Sequence, residues 1–587
     1  MLKLLRHMRL PEWLMALASV ILIGAQVQLD LKLPDYMSEI TVLVQTEGSL
    51  MSAVLKAGGK MLGCAALSLI LAVISGYFCA RIAAGFTMRL REMIYCKVMS
   101  FSNEEIGNFS TASLITRSTN DITQIQMFVA MGLMVIVRAP IMGIMAINKI
   151  STKSLEWSVL TGAVILFIVV MIVFIMTYAM PRFKRIQKLT DNLNRVTREN
   201  LSGLLVVRAY NAEDYQEKKF GAANSELTKT NLQANTAMSV MQPGMNIAMN
   251  ALTLGIYWIG AVLINKVAPV SPENMAQRLS LFSDMVVFTS YAMQVVMAFV
   301  MLVMIFIMLP RASVSARRLN EVLDTEVKMK EGSRTDGAEG LHGQIEFKNV
   351  SFAYSGSGGE VIHDISFKAE PGETVAIIGA TGCGKSTVVN LIPRMYDPTK
   401  GQVLVDGVDV KDYTREALGS KIGFVSQKAF LFSGTVEGNI GYGVPGISDS
   451  DVRKAAGVAQ AAEFIETEDC GYDGDVAQGG SNFSGGQKQR LSIARAVAKK
   501  PEIYVFDDSF SALDYKTDRA LRRALREESA GATCVIVAQR IGTIRDADRI
   551  LVIDDGRIVG SGTHSQLMES CDVYREIAYS QLSKEEL

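Results

Sequence analysis

The sequence has little of what holds small secreted domains or metal centres together. Its seven cysteines (Cys64, Cys79, Cys96, Cys383, Cys470, Cys534 and Cys571) are scattered, and none stands in a CxxC pair. An odd, dispersed set excludes a disulfide framework and a thiolate metal cluster, and fits reducing or membrane surroundings. The four histidines, His7, His342, His363 and His564, are too isolated in sequence to form a metal site. An excess of one charge is also missing: the formal net charge is +0, so bulk electrostatics imply no polyanionic partner. No internal repeat or low-complexity tract is present, which excludes solenoids and compositionally biased tails.

What the chain has instead is apolar length. Hydrophobic residues make up 49% of 587, and stretches near 13–33, 60–80, 127–148, 157–179, 243–265 and 282–309 are each about 20 residues or more, enough to span a bilayer. One such stretch could be a buried soluble helix; six at this length argue for six membrane spans. The basic N-terminus before the run Trp13–Val27 resembles a signal peptide. The run is long and no small-x-small cleavage pattern is convincing, so it reads as the first span. The third stretch carries Arg138 and Pro140. That arginine is either functional inside the membrane or, the favoured expectation, snorkels from near the cytoplasmic end.

Lysine and arginine set the expected orientation. Lys3, Arg6 and Arg9 precede the first span. Arg81, Arg89, Arg91 and Lys97 follow the second, and Arg182, Lys184, Arg185 and Lys188 follow the fourth. The loops around 149–156 and 266–280 are less basic. Both termini are therefore expected in the cytoplasm, with 81–126 and 181–242 as long helical cytoplasmic excursions. These basic stretches flank spans, so they imply membrane topology and no nucleic acid. Residues 1–324 read as an all-α transmembrane domain, and the charged, Gly-rich 325–344 as a linker. From 345 to 587, short β-branched runs (TVAIIG, IYVFDD, TCVIVAQ) alternate with helical stretches, which predicts an α/β domain with a partly parallel sheet.

The run TVAIIG leads into Gly379, Ala380, Thr381, Gly382, Cys383, Gly384, Lys385 and Ser386, with Thr387 opening a helical stretch. This is GxxxxGK[ST] in its required strand–loop–helix setting. Glycines let successive N–H groups wrap a phosphate, Lys385 is placed for the terminal phosphates, and Ser386 for Mg²⁺. Downstream, the apolar IYVFDD ends in Asp507 and Asp508; a carboxylate at that strand end is where a Mg²⁺ partner belongs, and Asp507 is the choice.

Just before that strand stands Phe483, followed by Ser484, Gly485, Gly486 and Gln487. This resembles the LSGGQ signature of ATP-binding-cassette proteins, with Phe for Leu. Phosphate loop, signature and aspartate strand in this order separate the chain from other phosphate-loop ATPases. The resemblance implies that Tyr354 stacks on adenine, that Gln427 senses Mg²⁺ and the membrane domain, and that Ser511 to Asp514 form the D-loop. The six preceding spans resemble the exporter type, and 200–215 resembles a coupling segment that contacts an ATPase domain. ATP and Mg²⁺ are the implied cofactors.

Two positions depart from the family pattern. Asp508 stands where a glutamate usually polarises the attacking water, and Gln539 where a switch histidine usually meets the γ-phosphate. Aspartate is one methylene shorter, and glutamine can donate a hydrogen bond but cannot take up a proton or carry a positive charge. The implied site, with Asp508, Gln539 and Gln427 as its reactive residues, binds ATP and hydrolyses it poorly. The economical reading is a heterodimer in the plasma (inner) membrane: a second half-transporter supplies the competent residues and uses this chain's signature. A homodimer with a slow aspartate site, or a regulatory ATP-binding subunit, are the alternatives.

Cargo is the least legible feature. Met293, Met297, Met301, Met304 and Met308 share one face of the last span. That stripe is either an adaptable surface for apolar cargo or ordinary packing methionine. No strong charge constellation is evident along the spans, which favours lipophilic or amphipathic small molecules.

Overall fold

The computed structural model describes residues 2–46, 50–151, 155–267, 272–356, 358–467 and 470–581. The chain divides into two compact units, Met1–Lys97 with Ala112–Asp324, and Val98–Thr111 with Thr325–Leu587. Parts of the loops expected around 149–156 and 266–280 lie outside the described residues.

Among the described residues the first unit has six helices long and apolar enough to cross a membrane: Leu10–Gln45, Met51–Ser100, Thr111–Ser151, Leu155–Ser202, Glu213–Lys266 and Gln277–Asp324. They are far longer than the apolar stretches alone because their polar ends continue as helix, in three of them across a proline at the junction: Pro34, Pro181 and Pro310. Their shared core is apolar, with Trp157 against Phe288 at 5.2 Å. Near its start the third span contains a π-helical turn, Arg117–Asp121. This turn buries Asp121, which accepts from Ser315 Oγ at 2.9 Å and pairs with Arg318 at 3.1 Å on the sixth span.

The second unit is α/β. Strands β1 (Ile345–Phe352), β2 (Ile362–Ala369), β4 (Lys400–Val405) and β5 (Val408–Asp409) form a sheet in the order β2-β1-β4-β5. The main sheet has the order β12-β11-β3-β10-β9-β6. Its strands are β3 (Thr374–Gly379), β6 (Ile422–Val425), β9 (Ile503–Asp507), β10 (Thr533–Val537), β11 (Arg549–Asp554) and β12 (Arg557–Gly562). Strands β6, β9, β10, β3 and β11 run parallel, as their continuous apolar sequences predict for a sheet covered on both faces. A further ribbon pairs β7 (Gly434–Thr435) with β8 (Asp475–Val476).

The stretch 325–344 is pinned more firmly than a linker composition suggests. Gly332 N and Arg334 N donate to Tyr413 O and Asp412 O at 3.1 and 2.8 Å, and Ala338 N to Asp406 O at 2.8 Å. Backbone bonding of this kind needs no apolar period, so it left no trace in the pattern. Residues 98–111 also fold into this unit. There a short helix, α1 (Asn103–Asn108), is capped by Ser102 and Glu105. The buried Glu105 carboxylate accepts from Ser102 N (2.8 Å), Ser102 Oγ and Lys328 N (3.2 Å).

Burial raises the Glu105 carboxyl and these hydrogen bonds overcome it, so its pKa is lowered below the ordinary 4.5. Its stabilisation is therefore present above the unfolded-state value and is lost as pH falls through the depressed one. Glu105→Ala should destabilise this unit by about 1–3 kcal/mol at pH 7, with Glu105→Gln less harmful. Thermal unfolding followed from pH 7 down to 4 should show the gap between wild type and Glu105→Ala narrowing only at the acid end.

Candidate active site

Parallel pairing brings four loops to one edge of the main sheet. Val537 of β10 lies opposite Ile377 of β3 and Asp507 of β9, and Val425 of β6 opposite Phe506. The residues that follow these strand ends are the 379–386 loop, Asp508, Gln539 and Gln427, which is where open parallel sheets bind ligands.

The 379–386 loop requires its glycines at two points. A Cβ on Gly379 would sit 2.1 Å from the Ile553 carbonyl oxygen, and Gly384 holds φ +100°. Lys385 opens helix α2 (Lys385–Leu391), and its Nζ donates to Gly379 O and Ala380 O at 2.9 and 2.7 Å. Its ammonium therefore lies within the loop. Ser386 Oγ donates to Asp507 Oδ1 at 2.9 Å. Two hard oxygens side by side at the loop's end fit a Mg²⁺ partly held by phosphates, and the glycine backbone fits the phosphates themselves.

Asp508 follows with φ +47°, a left-handed conformation that aspartate adopts more readily than most residues. Its Oδ2 accepts from Gln539 Nε2 at 2.8 Å and from Gln427 Nε2 at 3.3 Å. The three residues singled out as reactive thus form one hydrogen-bonded cluster. Burial raises both carboxyls above the ordinary 3.8; for Asp507 the neighbouring Asp508 charge adds to this, and for Asp508 the bonds from Gln427 and Ser511 oppose it.

Tyr354 also reaches the loop region. Its hydroxyl lies 3.1 Å from Thr387 Oγ1, and its ring packs edge-on against Phe352 and Tyr396. Ser484 caps helix α3 (Gly485–Ala498) in a reciprocal box with Gln487, which leaves Gly485 and Gly486 in the first turn. Asp514 caps helix α4 (Tyr515–Glu528), and the Thr517 N–H holds its carboxyl below the usual range. Among the described residues no hydrogen bond joins 484–487 to 379–387.

The membrane unit adds to one expectation and corrects another. Arg138 has a partner on another helix: it pairs with Asp30 of the first span at 3.0 Å. The spans also carry a charge constellation. Asp35 pairs with Lys149 at 2.8 Å and accepts from the buried Tyr291 hydroxyl at 2.5 Å; Ser68 donates to Asp30 at 2.5 Å. Pro34 lacks the N–H that would bond the Asp30 carbonyl, and Gln294 Nε2 approaches that oxygen at 3.5 Å. Gln26, one turn before Asp30 and only 4% exposed, keeps an unpartnered Oε1, as do Gln294 Oε1 and Arg138 Nε. Neutral pairs with partners on other helices cancel in any composition count. An intramembrane aspartate near a proline was the available signal.

A phosphate loop, a signature helix and an aspartate strand, on one chain with six spans, define an ATP-driven membrane transporter. The family models for the ABC transporter and for the ABC transporter transmembrane region match residues 362–511 and 40–299. The chain is 41% identical over 541 residues to an uncharacterised ABC transporter ATP-binding protein of Mycobacterium tuberculosis, covering 90% of each chain. It is 35% identical to the uncharacterised YfiB of Bacillus subtilis, again over 90% of each. It is also 31% identical to an ATP-dependent lipid A-core flippase of Pseudomonas putida, over 86% of this chain and 81% of the flippase. A bacterial Atm1-family ABC exporter solved with ATP bound shares the fold, with TM-score 0.79 and 24% identity over 98% of this chain and 100% of that one. The chain belongs to the ABC transporter family. It is an integral, multi-pass exporter half-transporter with its ATPase domain fused to its spans.

Raised carboxyl pKa values mean that the folded state holds protons the unfolded state releases, so stability falls as pH rises through the raised values. Asp507→Asn should therefore raise the melting temperature of the nucleotide-free protein at pH 8, with the gain shrinking toward pH 4, while Mg²⁺ no longer tightens ATP binding. In the membrane unit, Arg138→Gln leaves Asp30 without its charge partner and should cost about 1–3 kcal/mol. Asp30→Asn with Arg138→Gln should recover part of this, read as thermal stability in lipid.

Proposed function

We propose that this chain is the weakly hydrolysing half of a heterodimeric exporter for amphipathic cargo. The observation that carries the reading is the clasp of Asp508 by two glutamine amides. Both amides bond Oδ2, which leaves Oδ1 alone to orient a water, from a side chain one methylene shorter than glutamate. Gln539 can donate a hydrogen bond but cannot take up a proton or carry a positive charge as a histidine would. With the phosphate loop, Ser386 and Asp507 in working geometry, the site holds Mg-ATP and turns it over slowly. Gln427 and Asp508 both belong to this site. A partner half-transporter would present its own phosphate loop to the Ser484–Gln487 signature of this chain and take the larger share of hydrolysis.

Segment 200–215 supports the assembly. Leu205 is 85% and Tyr210 80% exposed, an apolar surface that an ATPase domain of the partner would cover. The Asp30–Arg138 and Asp35–Lys149 pairs favour cargo with a polar group on an apolar body. The similarity to a lipid A-core flippase points to the same class. Met297 and Met304 stay exposed on the last span, as a thioether surface for such a body would. Both termini lie on the cytoplasmic side in this reading, in the plasma membrane of a bacterium.

The assembled complex carrying Asp508→Glu and Gln539→His should turn over ATP about tenfold faster than wild type or more, with ATP affinity within about twofold. Unchanged turnover would sink the slow-site reading. Rapid hydrolysis by this chain purified alone in lipid would favour the homodimer.

A further inference from the structure

We infer that Gln581, at the end of the last described helix, is a positioning residue that holds the Gln539 loop against Asp508. This rests on the reading above that Asp508 and Gln539 face the terminal phosphate.

The loop after β10 runs Ala538-Gln539-Arg540 into a helical turn, Ile541–Ile544. Such a turn starts with N–H groups that lack intrahelical partners. The residue in the capping position is Arg540, which has no acceptor to offer, and no side-chain cap is made there. The acceptor comes from elsewhere: Ile541 N donates to Gln581 Oε1 at 2.9 Å. The same amide donates back through Nε2 to Gln539 O at 2.7 Å. One side chain therefore bonds the backbone on both sides of Arg540.

Gln581 is held in place by packing. Helix α5 (Asp572–Gln581) buries Tyr574 and Ala578 in a cluster with Ala538, Ile541 and Ile544. His564 Nδ1 lies 2.8 Å from the Tyr574 hydroxyl. The loop that Gln581 clamps makes two contacts of consequence. Gln539 Nε2 reaches Asp508 Oδ2 at 2.8 Å, and the Arg540 guanidinium donates to Ser511 O at 3.3 Å in the D-loop stretch. Freeing the backbone at 539 and 541 would let both side chains drift by the ångström that matters for orienting a water. Among the described residues Gln581 makes no hydrogen bond to the phosphate loop, Ser386 or Asp507, so nucleotide binding would be spared.

The test compares wild type, Gln581→Leu, Gln539→Ala and the double variant, each as the full chain in lipid. Single-turnover hydrolysis is followed with protein in excess over radiolabelled Mg-ATP, alongside the ATP dissociation constant and the melting temperature. Gln581→Leu should slow the hydrolytic step about tenfold and leave ATP affinity within about twofold. In the Gln539→Ala background it should add little, because residues acting through one another are not additive. An unchanged rate in Gln581→Leu would overturn the assignment. So would effects that multiply in the double variant, a loss of affinity parallel to the loss of rate, or a wild type that hydrolyses nothing. A wild type that hydrolyses rapidly would refute the slow-site reading alone, since the ratios between variants still report on the clamp.

Discussion

Strand β10 is hydrogen-bonded in parallel to β3 on one side and β9 on the other, and the nucleotide site depends on that pairing. With Val537 level with both Ile377 and Asp507, the phosphate loop, the aspartate pair and the Gln539 loop leave the sheet at the same height. A slip of one residue would turn Asp507 to the opposite face and separate it from Ser386. Apolar burial fixes the register, because Val505, Val535 and Ile377 are fully enclosed between the layers. The chemistry is thus held by a core that contains no chemistry of its own.

The membrane unit meets a different constraint. Charges placed between apolar helices are costly unless paired, and here the pairs bridge helices: Asp30 with Arg138, Asp35 with Lys149, and Glu12 with Arg89. Pro34 adds a second demand by freeing a carbonyl, which Gln294 approaches. The polar atoms left unpartnered around Asp30 mark where this packing is least satisfied.

Much of the fold was legible from short-range signals. Six spans follow from apolar length, the α/β domain from alternating β-branched runs, and the phosphate loop from glycine spacing that only one backbone shape explains. The candidate site was legible residue by residue, but its arrangement was not. That Gln539 and Gln427 meet on the same oxygen of Asp508 depends on three loops arriving together. The pinning of 325–344 and the folding of 98–111 with the ATPase unit were illegible, because backbone hydrogen bonds to distant strands leave no periodic mark.

The sequence by itself determined the class of protein, since helix length, strand pattern and motif spacing are properties of neighbouring residues. Tertiary structure decided who meets whom. Arg138 reads alike as a snorkelling or a paired charge until Asp30, 108 residues away, is placed beside it. Gln581 reads as an ordinary helical glutamine until the fold sets it across the Gln539 loop, 42 residues back in the chain. The reason is physical: a side chain's role in a low-dielectric interior is set by what packs against it, and packing partners are chosen by the whole chain at once.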